Sequence, residues 1–198
     1  MNKKFAAAGM TTLLVTSLAT CSSSFPASAD EKLNIETVVN VESDLSIESL
    51  VESAIEKQKQ LKLQTQIQTN TINMNNALDK LKKYVGKTWY VFSGSTPSGW
   101  DCSGLVMWTY QQLDVELYHR ASVQKNSGKK VKESQAKPGD IVAFGWTGWN
   151  GAGHVGIYVG NGMMIHSPAP GKVTTLQSVE SFSKGYSKIT YTRILETN

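Results

Sequence analysis

A single cysteine, Cys102, stands between Asp101 and Ser103 at the head of an apolar, helix-like run, and two histidines, His154 and His166, follow on separate alternating segments. Residues of these types carry out nucleophilic acyl transfer. A thiol in the first turn of a helix lies near the partial positive end of the helix dipole, which favours thiolate over thiol. A neighbouring imidazole can stabilise that thiolate as an ion pair and later protonate a leaving amine. His154 suits this role. In His154-Val155-Gly156-Ile157-Tyr158-Val159 the alternation turns Val155, Ile157 and Val159 toward a core and sends His154 the other way. His166 follows the hairpin turn Gly160-Asn161-Gly162 and can reach His154 across the hairpin to orient its ring. Cys102, His154 and His166 are thus the expected triad, with the thiol reacting below the ordinary range of about 8.5.

Each residue also has an inert explanation. A lone cysteine is commonly a small buried hydrophobe, and a strand histidine is commonly a satisfied polar residue. A metal centre built on His154 and His166 is less well supported, because spacing offers no third ligand and no zinc-type pair of cysteines. No metal and no other cofactor are expected.

The elements that must position these groups are legible from the pattern. Ala77, Leu78, Leu81, Tyr84 and Val85 form a helical stripe that stops at Gly86. A second helix is expected from Cys102 to Leu113, after the turn residues Thr96-Pro97-Ser98-Gly99. Strands are expected at Ile141 to Phe144, at His154 to Val159, at Met163 to His166 and at Ile189 to Leu195. Helices followed by a meander of strands read as an α+β fold. All five tryptophans and all three histidines lie between residues 77 and 198, a stretch long enough for one packed domain.

The first 76 residues differ in character. Residues 1–29 read as a secretory signal, with Lys3 and Lys4, an apolar core from Phe5 to Ala19 and a cleavage site at Ala27-Ser28-Ala29. Leu18-Ala19-Thr20-Cys21 weakly resembles a lipoprotein cleavage site, and lipid anchoring through Cys21 is the alternative. Either cleavage leaves Cys102 without a disulfide partner in an exported chain, a flag for reactivity. Residues 30–76 carry eight acids against four lysines, a balance of −4, whereas residues 77–198 carry +6. The acidic part has Ile47, Leu50, Val51, Ala54, Ile55 and Leu61 near helical spacing, but Gln58 and Thr65 interrupt any heptad. It reads as a helical spacer, with a partner-binding helix as the alternative. Nucleic acid is not an expected partner after export, and stable membrane insertion is not expected once the signal is removed.

Four blocks then resemble a known family. Asp101-Cys102-Ser103-Gly104-Leu105-Val106, Lys137-Pro138-Gly139-Asp140-Ile141-Val142, His154 to Gly162, and Met164-Ile165-His166-Ser167-Pro168 are similar, in order and spacing, to the NlpC-type cell-wall cysteine peptidases. The resemblance covers roughly Ala77 to Leu195. It implies a papain-like α+β fold, helices packed on an antiparallel sheet, and a Cys-His-His triad on the three residues above. It also implies a substrate, the stem peptide of bacterial peptidoglycan, commonly cut between γ-D-glutamate and the following diamino acid.

The resemblance assigns further residues. Tyr90 matches a tyrosine that lies close to the thiolate in such enzymes, although Phe92 replaces a tryptophan and Ser93 a glycine in that segment. Asp101 and Ser103 fall on positions that contact a free amine of the stem peptide, and helix capping is the alternative role of Asp101. In Leu117-Tyr118-His119, where relatives often have leucine, proline and a basic residue, His119 reads as a surface loop residue. Of Trp146 and Trp149, one is expected to line the cleft, with simple packing as the alternative. The basic run from Lys125 to Lys137 reads as a solvated loop whose charge suits an anionic wall. The leading functional expectation is a secreted, wall-associated endopeptidase. The alternatives are a catalytically silent wall-binding module, or an amidase or acyltransferase on the same fold.

Overall fold

A computed structural model describes residues 47–198. The expected signal and the Cys21 alternative lie outside these residues. The chain enters on a long helix, α1 (Ile47–Lys82), whose first half is exposed along Ile47, Leu50, Val51, Ile55 and Leu61. Its apolar anchor lies near the end, at Met74, Ala77, Leu78 and Leu81. The helix runs unbroken through residue 76, so the described part of the expected spacer, residues 47–76, is continuous with the start of the packed domain; residues 30–46 of that spacer lie outside the described residues. Beyond Lys82 the chain tightens into turns and leaves at Gly86, which has φ +76° and donates its N–H to the Thr174 carbonyl. That is a backbone conformation suited to glycine.

A small ribbon of β1 (Ser95–Thr96) and β2 (Gly99–Trp100) leads into α2 (Cys102–Gln111). Asp101 caps this helix from extended backbone, its side chain accepting from the Gly104 N–H. After the short α3 (Ala121–Gln124) come β3 (Lys129–Val131), β4 (Ile141–Gly145), β5 (His154–Gly160), β6 (Met163–His166), β7 (Thr175–Ser178), α4 (Val179–Ser183) and β8 (Lys188–Arg193). The six larger strands form one antiparallel sheet in the order β3-β8-β4-β5-β6-β7.

The sheet is covered on both faces. On one side Ile141, Ala143, Val155, Ile157 and Ile165 pack with Leu105, Val106 and Tyr110 of α2 and with the end of α1. On the other, Val142, Phe144, Tyr158, Met164 and Tyr191 pack with Val179 and the adjoining Phe182 and Tyr186. His154 leaves the α2 face and is buried on the opposite side of the sheet beneath Phe182, being only 4 % exposed. A half-wet sheet would show clean alternation, whereas β5 is buried continuously from His154 to Tyr158.

The Lys137-Pro138-Gly139-Asp140 block proves to be a structural junction. Asp140 accepts two bonds from Arg193, at 3.0 and 2.8 Å, and one from the N–H of Lys137, three residues earlier, at 2.8 Å. The Gly139 carbonyl accepts from Tyr110 Oη at 2.7 Å. Gly139 has φ +99°, and a Cβ there would run into Met74 of α1. One tight turn therefore ties α1, α2 and the sheet together.

Candidate active site

The site forms where the start of α2 meets the start of β5. Cys102 is the first residue of α2 and the only cysteine among the described residues. The backbone N–H groups of Val155, Ser103 and Cys102 itself lie near enough to its sulfur to favour the thiolate. The Val155 contact places the thiol beside β5 at the residue next to His154. Burial nonetheless dominates, and with help from the Asp101 charge it pushes the Cys102 thiol up to about 11 despite those three donors.

His154 and His166 are brought together by strand register. Ile157 pairs with Ile165, so Gly156 lies opposite His166 and His154 is its diagonal neighbour on one face. The rings meet directly, His154 Nε2 lying 2.8 Å from His166 Nδ1. The glycine between them makes this approach possible, since a Cβ on Gly156 would lie 3.0 Å from His166 Cβ and 3.1 Å from the Ile165 carbonyl oxygen. Phe182 of α4 covers both imidazoles, with ring centroids 4.7 Å from His154 and 4.6 Å from His166. Burial, with His166 adding to it, lowers His154 to about 3; burial lowers His166 to about 4 against a bond from Gln177 that raises it. Both shifts favour the neutral ring.

These directions run against the expected thiolate–imidazolium pair. Burial disfavours a charge on either partner, which favours a neutral thiol beside a neutral imidazole. The helix N-terminus supplies its favourable N–H groups, but within a site closed by Phe182 and the sheet they do not outweigh desolvation.

The residues around the thiol are committed to one another. Asp101 Oδ1 accepts from the Gly104 N–H at 2.7 Å and from Ser103 Oγ at 2.9 Å, and it lies 2.8 Å from His119 Nε2. Its other oxygen accepts from the Ser93 N–H at 3.1 Å. Burial works against ionising this carboxyl, yet the bonds from Gly104, His119 and Ser103 hold it below its ordinary range. The capping role expected as the alternative for Asp101 is therefore present, and the Ser103 hydroxyl is turned inward to the cap. His119 is no free surface residue. Tyr90 is partly buried near the thiol, its pKa raised by burial and then by Cys102 and Asp101.

Several residues at the site escaped the sequence reading. Gln177 of β7 lies with Oε1 3.1 Å from His166 Nε2, and its Nε2 donates to Ser181 Oγ at 3.1 Å. Lys125, expected in a solvated loop, is buried and donates to the carbonyls of Asn150 and Gly151 at 2.9 and 3.1 Å. It pins the loop that leads into His154. In that loop Trp146 and Trp149 stay 45 % exposed apiece, with ring centroids 5.5 Å apart, and Trp146 continues onto Tyr186 at 5.2 Å. Tyr186 in turn packs on Phe182, so an aromatic surface extends from the histidines outward. Neither tryptophan is fully buried. Among the described residues no group of His, Cys, Asp and Glu is placed to hold a metal ion.

A thiol at a helix start, against a strand that opens with a histidine, on helices packed over an antiparallel sheet, defines a papain-like fold with a cysteine–histidine centre. A sequence model of the NlpC/P60 family matches residues 86–196, and the chain belongs to that family. It is 43 % identical over 109 residues to the gamma-DL-glutamyl hydrolase of Bacillus subtilis, covering 54 % of this chain and 26 % of that one. It is 46 % identical over 88 residues to the bifunctional muramidase/DL-endopeptidase CwlT of Bacillus subtilis, covering 43 % and 26 %. The matched stretch thus spans about a quarter of these relatives' own length. Among solved structures, the NlpC/p60 domain of the peptidoglycan hydrolase SagA is similar at 34 % identity and a TM-score of 0.53, over 61 % of this chain and 98 % of that one. NlpC2 from Trichomonas vaginalis is similar at 33 % identity and a TM-score of 0.54, over 62 % and 46 %.

Proposed function

We propose that this protein is a secreted, wall-associated endopeptidase that hydrolyses peptidoglycan stem peptides at the bond between γ-D-glutamate and a diamino acid. The observation that carries the reading is the joint placement of Cys102 against β5 and of His154 Nε2 on His166 Nδ1 at 2.8 Å. Family membership and relatives named DL-endopeptidase and gamma-DL-glutamyl hydrolase support the bond class. Export rests on the signal-like residues 1–29; among the described residues no helix is long and apolar enough to cross a membrane.

Catalysis then proceeds by base-assisted attack. As Cys102 Sγ bonds to the scissile carbonyl carbon, its proton passes to His154, and the carbonyl electrons move onto oxygen. Collapse of that intermediate breaks the C–N bond, and His154 returns the proton to the leaving amine. Water next attacks the thioester, giving its proton to His154; expulsion of the sulfur and return of that proton restore the thiol. Starting from neutral partners, the site never holds an isolated thiolate in its buried interior. His166 orients His154, and Tyr90, Asp101 and Ser103 border the acceptor side where the stem peptide's amine would lie.

Digesting purified peptidoglycan with the full chain and identifying fragments by mass tests the bond assignment. Cys102→Ser is expected to abolish hydrolysis with its thermal unfolding unchanged, because the side chains are nearly isosteric. Undiminished digestion by the variant would rule out cysteine catalysis.

A further inference from the structure

We propose that Gln177 is a positioning residue that fixes the proton pattern of both histidines, leaving His154 Nδ1 as the nitrogen that takes the Cys102 proton. The chain of contacts is continuous. Gln177 Oε1 lies 3.1 Å from His166 Nε2, and His166 Nδ1 lies 2.8 Å from His154 Nε2. An amide oxygen has no hydrogen to give, so the first contact requires a hydrogen on His166 Nε2. A neutral imidazole carries only one such hydrogen. His166 Nδ1 therefore presents a lone pair, and the 2.8 Å contact requires the hydrogen on His154 Nε2. His154 Nδ1 is then the bare nitrogen of that ring.

The amide is placed by α4, and the amide sense follows from its oxygen facing His166. Its nitrogen donates to Ser181 Oγ at 3.1 Å, and the Ser178 cap, whose Oγ accepts from the Ser181 N–H at 3.3 Å, sets the first turn that carries Ser181. Phe182, one residue on, covers both imidazoles and keeps water from offering an alternative partner. Without Gln177, His166 could place its hydrogen on Nδ1 instead. That hydrogen would claim His154 Nε2, force the His154 hydrogen onto Nδ1, and block the base.

The proton pattern is independent of the proposed activity, whereas its catalytic consequence rests on that reading. Both are measurable on the full chain. Nitrogen-15 spectra of protein labelled in its three histidines distinguish ring nitrogens that bear hydrogen from those that do not. At neutral pH His154 and His166 are both expected as Nε2–H forms. Gln177→Leu is expected to give mixed forms and to lower kcat on a soluble γ-D-glutamyl stem peptide by about tenfold or more, with KM unchanged. That is short of the roughly 10⁴-fold loss when a catalytic histidine is held in the wrong form. Gln177→Glu keeps an acceptor but favours a charged His166, so its activity should recover at alkaline pH and fall off on an acid limb that the wild type lacks in the neutral range. A wild-type spectrum with His154 hydrogenated at Nδ1 overturns the proposal, whether or not the leucine variant folds. So does a folded Gln177→Leu with unchanged kcat. If the wild type cleaves no stem peptide, the peptidase reading fails while the spectrum still decides the proton pattern.

Discussion

At the scale of single residues, the charge state of the thiol separates two accounts of the same geometry. A helix N-terminus and a nearby histidine argue for thiolate; burial argues against it, and the direction of both shifts favours burial. A thiol whose pKa is raised to about 11 forms thiolate only as pH climbs past the ordinary range of about 8.5. Iodoacetamide labelling of Cys102 in the wild type should therefore still be accelerating above that range. His154→Ala removes a wall of the site and admits water, so desolvation weakens and labelling should move to lower pH. The opposite pair of results, wild-type labelling complete well below pH 8.5 and shifted upward by His154→Ala, would establish a resting ion pair in place of the neutral one. Sequence alone pointed the other way because it shows which residues neighbour the thiol along the chain. Phe182, which closes the histidine side, comes from a helix that the pattern did not reveal.

Among elements, the strongly apolar ones were legible and the short polar ones were not. Strands β4, β5 and β6 and helix α2 follow the expected segments closely, because long apolar runs and the Gly160-Asn161-Gly162 turn leave few alternatives. By contrast β7, with sequence Thr-Leu-Gln-Ser, and the five-residue α4 have too little periodicity to announce themselves. They exist because β6 offers an edge and Val179 a buried anchor. That pair supplies Gln177 and Phe182, which explains why the histidines were readable while their support was not. Strand β5 makes a sharper point about register. Gly156 stands opposite His166, and a Cβ there would come within 3.0 to 3.2 Å of His166 Cβ, the Ile165 carbonyl oxygen and Met164 Sδ. Gly156→Ala should cost about 1–3 kcal/mol of stability through overpacking. Because the displaced neighbour is His166, kcat/KM should fall further than that loss of fold explains at temperatures where the variant is folded. Denaturant unfolding and stem-peptide hydrolysis, measured side by side, test this; a variant with wild-type activity would show that the glycine does not set the approach of the rings.

For the whole molecule, the question is where the packed unit begins. Charge and composition change near residue 76, and that change suggested a boundary there. Packing puts it earlier. Met74 is only 2 % exposed and fills the space beside Gly139, the turn whose carbonyl holds Tyr110 of α2. Gln68, Asn70 and Thr71 bond the C-terminal residues Glu196 and Asn198, so the same stretch of α1 also secures the chain's last turn. Composition misses this because a helix needs only one buried side chain per turn to be anchored, and the other residues of those turns remain polar. A chain starting at Ala77 should accordingly lose about 2–5 kcal/mol, the cost of emptying a buried methionine site, and lose further helix stability from starting within the anchored turns. A chain starting at Lys62 keeps every one of these contacts and should unfold at the denaturant midpoint of the full chain. Both should retain the thiol and histidine geometry wherever they are folded, since α1 up to Asn76 supplies none of the site's side chains. If the chain starting at Ala77 proves as stable as the one starting at Lys62, the junction of Met74 with Gly139 contributes nothing, and the compositional boundary is also the physical one.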